Sequence, residues 1–166
     1  MPEEIVWRGP SSQWKNFGRY LLSAILAAIV LVIFVVLRQR GSAPVKEFSP
    51  YVLLLLLVPV FTAMARYLQT KCRMYELTTE RLKTTEGVFS KVTETLELYR
   101  VKDLETRQPF LYRLVGIENI RVNTSDVSSP VVLVNAIPCA VGLGDKIRNH
   151  VEGIRAQKGV REIDVE

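Results

Sequence analysis

Few residues in this chain could do acid–base, nucleophilic or metal chemistry, and none stands in the spacing such chemistry needs. The single histidine, His150, lies beside Val151 at the margin of an apolar helical stripe, with no nucleophile placed to use it as a base. It reads as a half-exposed helix residue. Cys72 and Cys139 form neither a C-x-x-C pair nor a Cys/His cluster of zinc spacing, so they read as plain thiols, reduced in a cytoplasmic setting. Asp103 and Glu105 alternate along one segment and resemble an acid–base carboxylate pair, but Lys102 and Arg107 flank them and a charged strand face is the simpler reading. Gly142-Leu143-Gly144 lacks the Lys-Ser or Lys-Thr of a phosphate loop. No catalytic residue, cofactor or metal site is expected, and the chain is not expected to be an enzyme.

The remaining chemistry is cationic. Arg66, Lys71, Arg73, Arg81 and Lys83 follow one another closely, with Lys91 beyond, and could contact anionic lipid headgroups. Glu76, Glu80 and Glu86 interleave with them, which argues against a dedicated phosphoinositide pocket. The whole chain carries net charge +5, yet from Arg66 onward 16 Lys or Arg face 14 Asp or Glu. That balance excludes a nucleic-acid binder that works by charge.

Two uncharged apolar runs of 18 residues, Tyr20 to Leu37 and Phe48 to Ala65, must position whatever follows. As helices, each covers about 27 Å, close to the hydrocarbon thickness of a bilayer. The first contains thirteen Leu, Ile, Val or Phe residues, and insertion scales give these about 4 to 8 kcal/mol in favour of the membrane. Arg38-Gln39-Arg40 follows it where a signal peptide would need a small-residue cleavage site, so it reads as a retained span. Ser49 and Pro50 read as the cap and first residue of the second helix, and Pro59 should kink it, with Thr62 supplying a local hydroxyl. Arg8, Lys15, Arg19, Arg66, Lys71 and Arg73 flank the pair against Arg38, Arg40 and Lys46 between the spans, which puts both termini in the cytoplasm. The expected organisation is a cytoplasmic segment 1–19, a hairpin 20–68, a soluble domain 69–160 and a tail 161–166.

The soluble part alternates like antiparallel strands. Six are expected: Arg73–Thr79, Arg81–Thr85, Val88–Tyr99, Val101–Gln108, Ile117–Thr124 and Val131–Val134, with turns at Glu86-Gly87 and Gly116. Val101 and Leu104 are three apart, which implies a bulge near Asp103. Pro109 opens an amphipathic turn whose Phe110, Leu111 and Leu114 should plug an opening in the sheet, and the apolar run Val131–Val134 should be buried on both faces. The period then lengthens, and Leu143, Ile147, Val151 and Ile154 line one stripe of a closing helix, secure over Asp145 to Gln157.

The segments Tyr75-Glu76-Leu77-Thr78-Thr79-Glu80-Arg81-Leu82, Glu86-Gly87, Leu98-Tyr99-Arg100-Val101-Lys102-Asp103-Leu104 and Leu111-Tyr112-Arg113-Leu114-Val115-Gly116 resemble the bacterial pleckstrin-homology-like (PH-like) membrane proteins of the YdbS-like kind. The order of two spans and then this module matches as well, although Ile117-Glu118-Asn119 stands where the family has a second glycine. The resemblance implies an α+β, mainly β, soluble part: a split barrel of about seven strands in two roughly orthogonal sheets, capped by a C-terminal helix and preceded by a transmembrane helical hairpin. It implies no activity, since folds host many functions.

The expected function is a membrane-anchored interaction or scaffold module at the cytoplasmic face of the bacterial inner membrane. Its expected partners are membrane lipids and a membrane or cytoplasmic protein. A structural subunit of a homo- or hetero-oligomeric complex is the alternative, since Ser23, Ala24, Ala27 and Ala28 permit close helix approach, and weak anionic-lipid binding is a further one. Two spans without an intramembrane charge cannot enclose a polar path, which excludes a transporter acting alone.

Overall fold

The computed structural model describes residues 3–127 and 129–158; the expected tail 161–166 lies outside the described residues. The chain forms two compact units, Asn16–Leu68 and the residues on either side of it.

The helical unit contains α1 (Phe17–Arg40), α2 (Ala43–Phe48), a 3₁₀ stretch Ser49–Leu56 and most of α3 (Leu57–Lys71). Two continuous helical stretches result, Gln13–Arg40 and Ala43–Lys71, each long and apolar enough to cross a bilayer. No residue of α1 is buried. The helical winding of the second stretch starts at Ala43, with Pro44 in its first turn, earlier than the expected start at Ser49-Pro50. Ser49 Oγ instead donates back to the Lys46 carbonyl at 2.8 Å, as hydroxyls inside helices do. Pro59 cannot donate to the turn before it, and the winding ahead of α3 is the tighter 3₁₀ form, while Thr62 Oγ1 donates to the Pro59 carbonyl at 3.0 Å. Asn16 is buried, and its Nδ2 donates to the Arg66 carbonyl at 3.4 Å, so the two ends of this unit meet.

Among the described residues of the other unit there are seven strands: β1 (Ile5–Pro10), β2 (Met74–Thr78), β3 (Arg81–Glu86), β4 (Val92–Glu97), β5 (Val101–Arg107), β6 (Ile117–Thr124) and β7 (Val131–Pro138). They form a four-stranded sheet, β1-β2-β3-β4, and a three-stranded sheet, β5-β6-β7, all antiparallel. The strand absent from the sequence reading is β1. It tolerates Pro10 because it is an edge strand, and Gly9 is needed there because a Cβ would collide with the Trp7 ring. The expected bulge appears between Val101 and Asp103, and Gly87 takes a φ of +124°, where a Cβ would run into the Ser90 carbonyl oxygen.

The core lies between the sheets and under α5 (Leu143–Lys158). Tyr75, Leu77, Leu82 and Leu96 come from the first sheet, Ile120, Val122, Val132 and Val134 from the second, and Leu143, Ile147, Val151 and Ile154 from the helix. The helix stripe is thus buried as its period predicts. Three expectations fail. β4 is shorter than the strand expected over Val88–Tyr99, because the β3–β4 turn takes up Val88 to Lys91 and Leu98–Arg100 winds into a 3₁₀ turn. Val131 and Leu133 are exposed on β7, because the second sheet buries only one of its faces. Phe110, Leu111 and Leu114 of α4 (Phe110–Leu114) plug nothing and are 72%, 56% and 69% exposed.

Ile147→Ala should therefore cost about 2 to 5 kcal/mol, and Leu111→Ala should stay within about 0.5 kcal/mol. Denaturation of the full chain in detergent micelles checks both. Equal losses at the two positions would remove α5 from the core.

Candidate functional site

The candidate cations begin on the outward face of the four-stranded sheet, where alternation sends every second residue away from the core. On β3 these are Arg81, Lys83 and Thr85, and on β2 they are Met74 and Glu76. Register places Arg8, Glu76, Lys83 and Thr95 in one row across four strands, and Met74 beside Thr85 in the next.

Carboxylates meet most of these cations. Arg73 pairs with Glu86. Lys83 Nζ lies 3.4 Å from Glu76 and 3.8 Å from Glu3, Arg81 lies 3.4 Å from Glu3, and Arg8 lies 3.6 Å from Glu76. Glu3 is held below the usual carboxylate range, chiefly by the hydrogen bond from the Thr78 hydroxyl and then by Lys83 and Arg81. The place of Glu3 and Arg8 in this face was not legible in sequence, since their partners lie beyond both apolar runs.

Within the β unit, Arg81 and Lys83 share Glu3 but line different clefts. Lys83 lines an open cleft of about 230 Å³ with Arg8, Cys72, Met74, Glu76, Thr85 and Lys91. Arg81 instead faces a second cleft of about 290 Å³ with Thr95, Glu97, Arg100 and Asp126, where Arg100 binds Asp126 at 3.0 Å. Arg73 is taken by Glu86, Arg66 belongs to the helical unit and Lys71 is the last residue of α3. The first cleft offers three cations against one carboxylate. That suits weak, salt-sensitive contact with an anion, while tight phosphate binding would first have to break the Lys83–Glu76 pair.

His150, Asp103, Glu105 and Cys139 each have a partner. His150 Nδ1–H donates to the Lys146 carbonyl one helical turn back at 2.7 Å. Glu105 is paired to Arg107 at 2.6 Å, and Asp103 accepts from the Leu104 backbone N–H at 2.8 Å. Cys139 Sγ lies 3.0 Å from Gln108 Nε2, and burial, followed by the nearby Glu118, pushes its thiol up from its ordinary value. A raised thiol is a poor nucleophile at neutral pH. Among the described residues, no three His, Cys, Asp or Glu side chains gather in a way that could hold a metal.

Two antiparallel sheets of four and three strands around one core, closed by a C-terminal helix, define a PH-like domain. The chain belongs to the bacterial PH domain family, whose model matches residues 12–152. Among solved structures, the Vps36 N-terminal PH domain is similar at 20% identity and a TM-score of 0.39, over 54% of this chain and 68% of its own. No curated protein matches the chain.

Proposed function

We propose that this protein is a membrane-anchored PH-like interaction module whose helical hairpin crosses the bacterial inner membrane twice and holds the barrel at the cytoplasmic face. The observation that carries this reading is the pairing of β1 with β2, strands that bracket the two apolar helices in sequence. Strands joined by backbone hydrogen bonds lie on the same side of a membrane, so the pair between them crosses an even number of times. Side chains of α1 that are apolar and unburied support lipid as their surroundings. The excess of flanking cations supports a cytoplasmic position for both ends. Alkaline phosphatase fused at Ala43 should be active and at the C-terminus inactive; the reverse pattern would refute the orientation.

A protein partner is the reading for the barrel itself, with no catalytic chemistry. Edge strands accept an added peptide strand through main-chain hydrogen bonds. The outer edge of β7 is partly taken, since Ser12 N–H donates to the Ala136 carbonyl at 2.8 Å and Ser11 Oγ to the Asn135 carbonyl at 2.8 Å. Among the described residues β4 pairs with β3 alone, and Val92 to Thr95 are exposed along it. A photocrosslinking residue at Thr95 in native membranes should capture a distinct protein, while the same probe at Asp145 on α5 should not. Adducts only between copies of this chain would favour the structural-subunit reading, and none at all would remove the edge from the proposal.

The excess of cations in the first cleft favours a second, weaker contact with anionic lipid, to which Arg66, Lys71, Arg73, Arg81 and Lys83 contribute by charge. Acetylation of Lys71 and Lys83 in nanodiscs should slow when phosphatidylglycerol replaces phosphatidylcholine, and recover in high salt. Identical rates in both lipids would rule the contact out.

A further inference from the structure

Two apolar projections on the barrel bury nothing within the protein. One is the tip of the β3–β4 hairpin, where Phe89 is 103% exposed, and the other is the face of α4. Both lie at the end of the barrel from which the chain departs for its apolar helices. On the first sheet, Pro10, Met74, Thr85 and Thr93 share one row, so the ends of β1 and β2 that lead to the helices stand level with the base of the Gly87–Lys91 tip. On the second sheet a chain of hydrogen bonds makes the connection. Ser11 N–H donates to the Arg73 carbonyl at 3.2 Å and Ser12 N–H to the Ala136 carbonyl at 2.8 Å, joining the outgoing and returning segments to β7. Three residues on, Cys139 N–H donates to the carbonyl of Gly116, the residue that closes α4 with a φ of +66°.

We propose that this end of the barrel rests on the bilayer, with Phe89 on one flank and Phe110, Leu111 and Leu114 on the other seated in the headgroup region of the membrane. The inference rests on the hairpin reading above. Continuity of the chain selects lipid as the occupant: from Ser12 to the first residue of α1 is five residues, a reach of at most about 18 Å when fully extended. Charge agrees, because Lys91 borders the first projection and Arg113 lies within the second, and cations beside an apolar anchor are attracted to anionic headgroups. Exposed Phe and Leu in such numbers on one end of a small domain mark a surface that something covers. The arrangement would fix the tilt of the barrel by two contacts in addition to its two covalent tethers.

Spin labels test this in the full chain, in vesicles of phosphatidylcholine and phosphatidylglycerol. In a Cys72→Ser, Cys139→Ser background whose circular dichroism matches the unsubstituted protein, Phe89→Cys, Leu111→Cys, Ile29→Cys and Glu80→Cys are labelled singly. Ile29 reports on the middle of α1, and Glu80, in the β2–β3 turn at the opposite end of the first sheet, serves as the aqueous reference. Labels at 89 and 111 should collide several-fold more often with oxygen than with a water-soluble nickel complex, as at 29, with the preference reversed at 80. A lipid-like signal at 29 together with an aqueous one at 89 or 111 overturns this inference and leaves the hairpin standing. An aqueous signal at 29 overturns both. Protection of 89 and 111 from oxygen and nickel alike would mean a protein surface covers them, and would also reject the bilayer as occupant.

Discussion

The architecture depends on one non-local pairing, β1 against β2. Sixty-three residues separate Pro10 from Met74, and those residues contain both apolar helices. Closing a flexible loop of that length costs roughly 4 kcal/mol in chain entropy. A helical hairpin removes most of that cost, because its antiparallel halves return the chain to its starting point before the strands meet. The Asn16–Arg66 hydrogen bond marks that return inside the helical unit, and the bonds from Ser11 to Arg73 and from Ser12 to Ala136 continue it into the β unit. Barrel and helices are therefore interleaved in sequence, the first strand of the one lying upstream of the other.

This explains what was legible in the sequence. β6 spans Ile117–Thr124 as alternation alone predicts, and the α5 stripe is buried residue for residue, because both signals are contained within one element. The bulge at Asp103 was likewise local, a phase slip between Val101 and Leu104. β1 was not legible. Ile5, Val6 and Trp7 have strand-forming side chains, but a six-residue segment ending in Gly-Pro acquires its meaning only from a partner that lies beyond two long helices. The apolar runs at Val131–Val134 and Phe110–Leu114 failed in a different way. Hydrophobicity there does not mean burial within the chain, because Leu133 and the α4 residues face outward. Apolar character reports a preference to leave water and does not specify which surface provides the shelter.

The charged residues followed a similar logic. In sequence, Arg73, Arg81, Lys83 and Lys91 look like a single basic group; in the β unit, Arg81 and Lys83 fall in different rows of β3, Arg73 and Lys91 stand just outside β2 and β4, and Glu3, Glu76, Glu86 and Glu97 are set among them. A face so nearly neutralised has little affinity to give to a phosphate, and exposed pairs of this kind add little stability. What it provides is solubility and resistance to non-specific pairing along the sheet. The core, by contrast, is tied across its two sheets by a polar contact: the buried Tyr75 hydroxyl on β2 accepts from the Asn135 backbone N–H on β7 at 3.0 Å. Burial raises the phenol further from ionisation, so this bond persists as a neutral one throughout the physiological range.

Edges and apolar projections thus divide the surface into regions with different work. The β1 side is joined to β7 through Ser11 and Ser12, while β5 is covered by α5, whose Arg155 donates to the Val101 carbonyl at 2.5 Å. Among the described residues β4 has a strand partner on one side alone, and its exposed Thr93, Glu94 and Thr95 are polar enough to stay in water. Phe89 and the α4 face are not. A surface that must be covered at all times suits a partner that is always present, and a surface that can stand bare suits one that comes and goes. If the apolar helices cross a bilayer as proposed, that bilayer is the permanent neighbour, and the polar edge is left for exchange with protein.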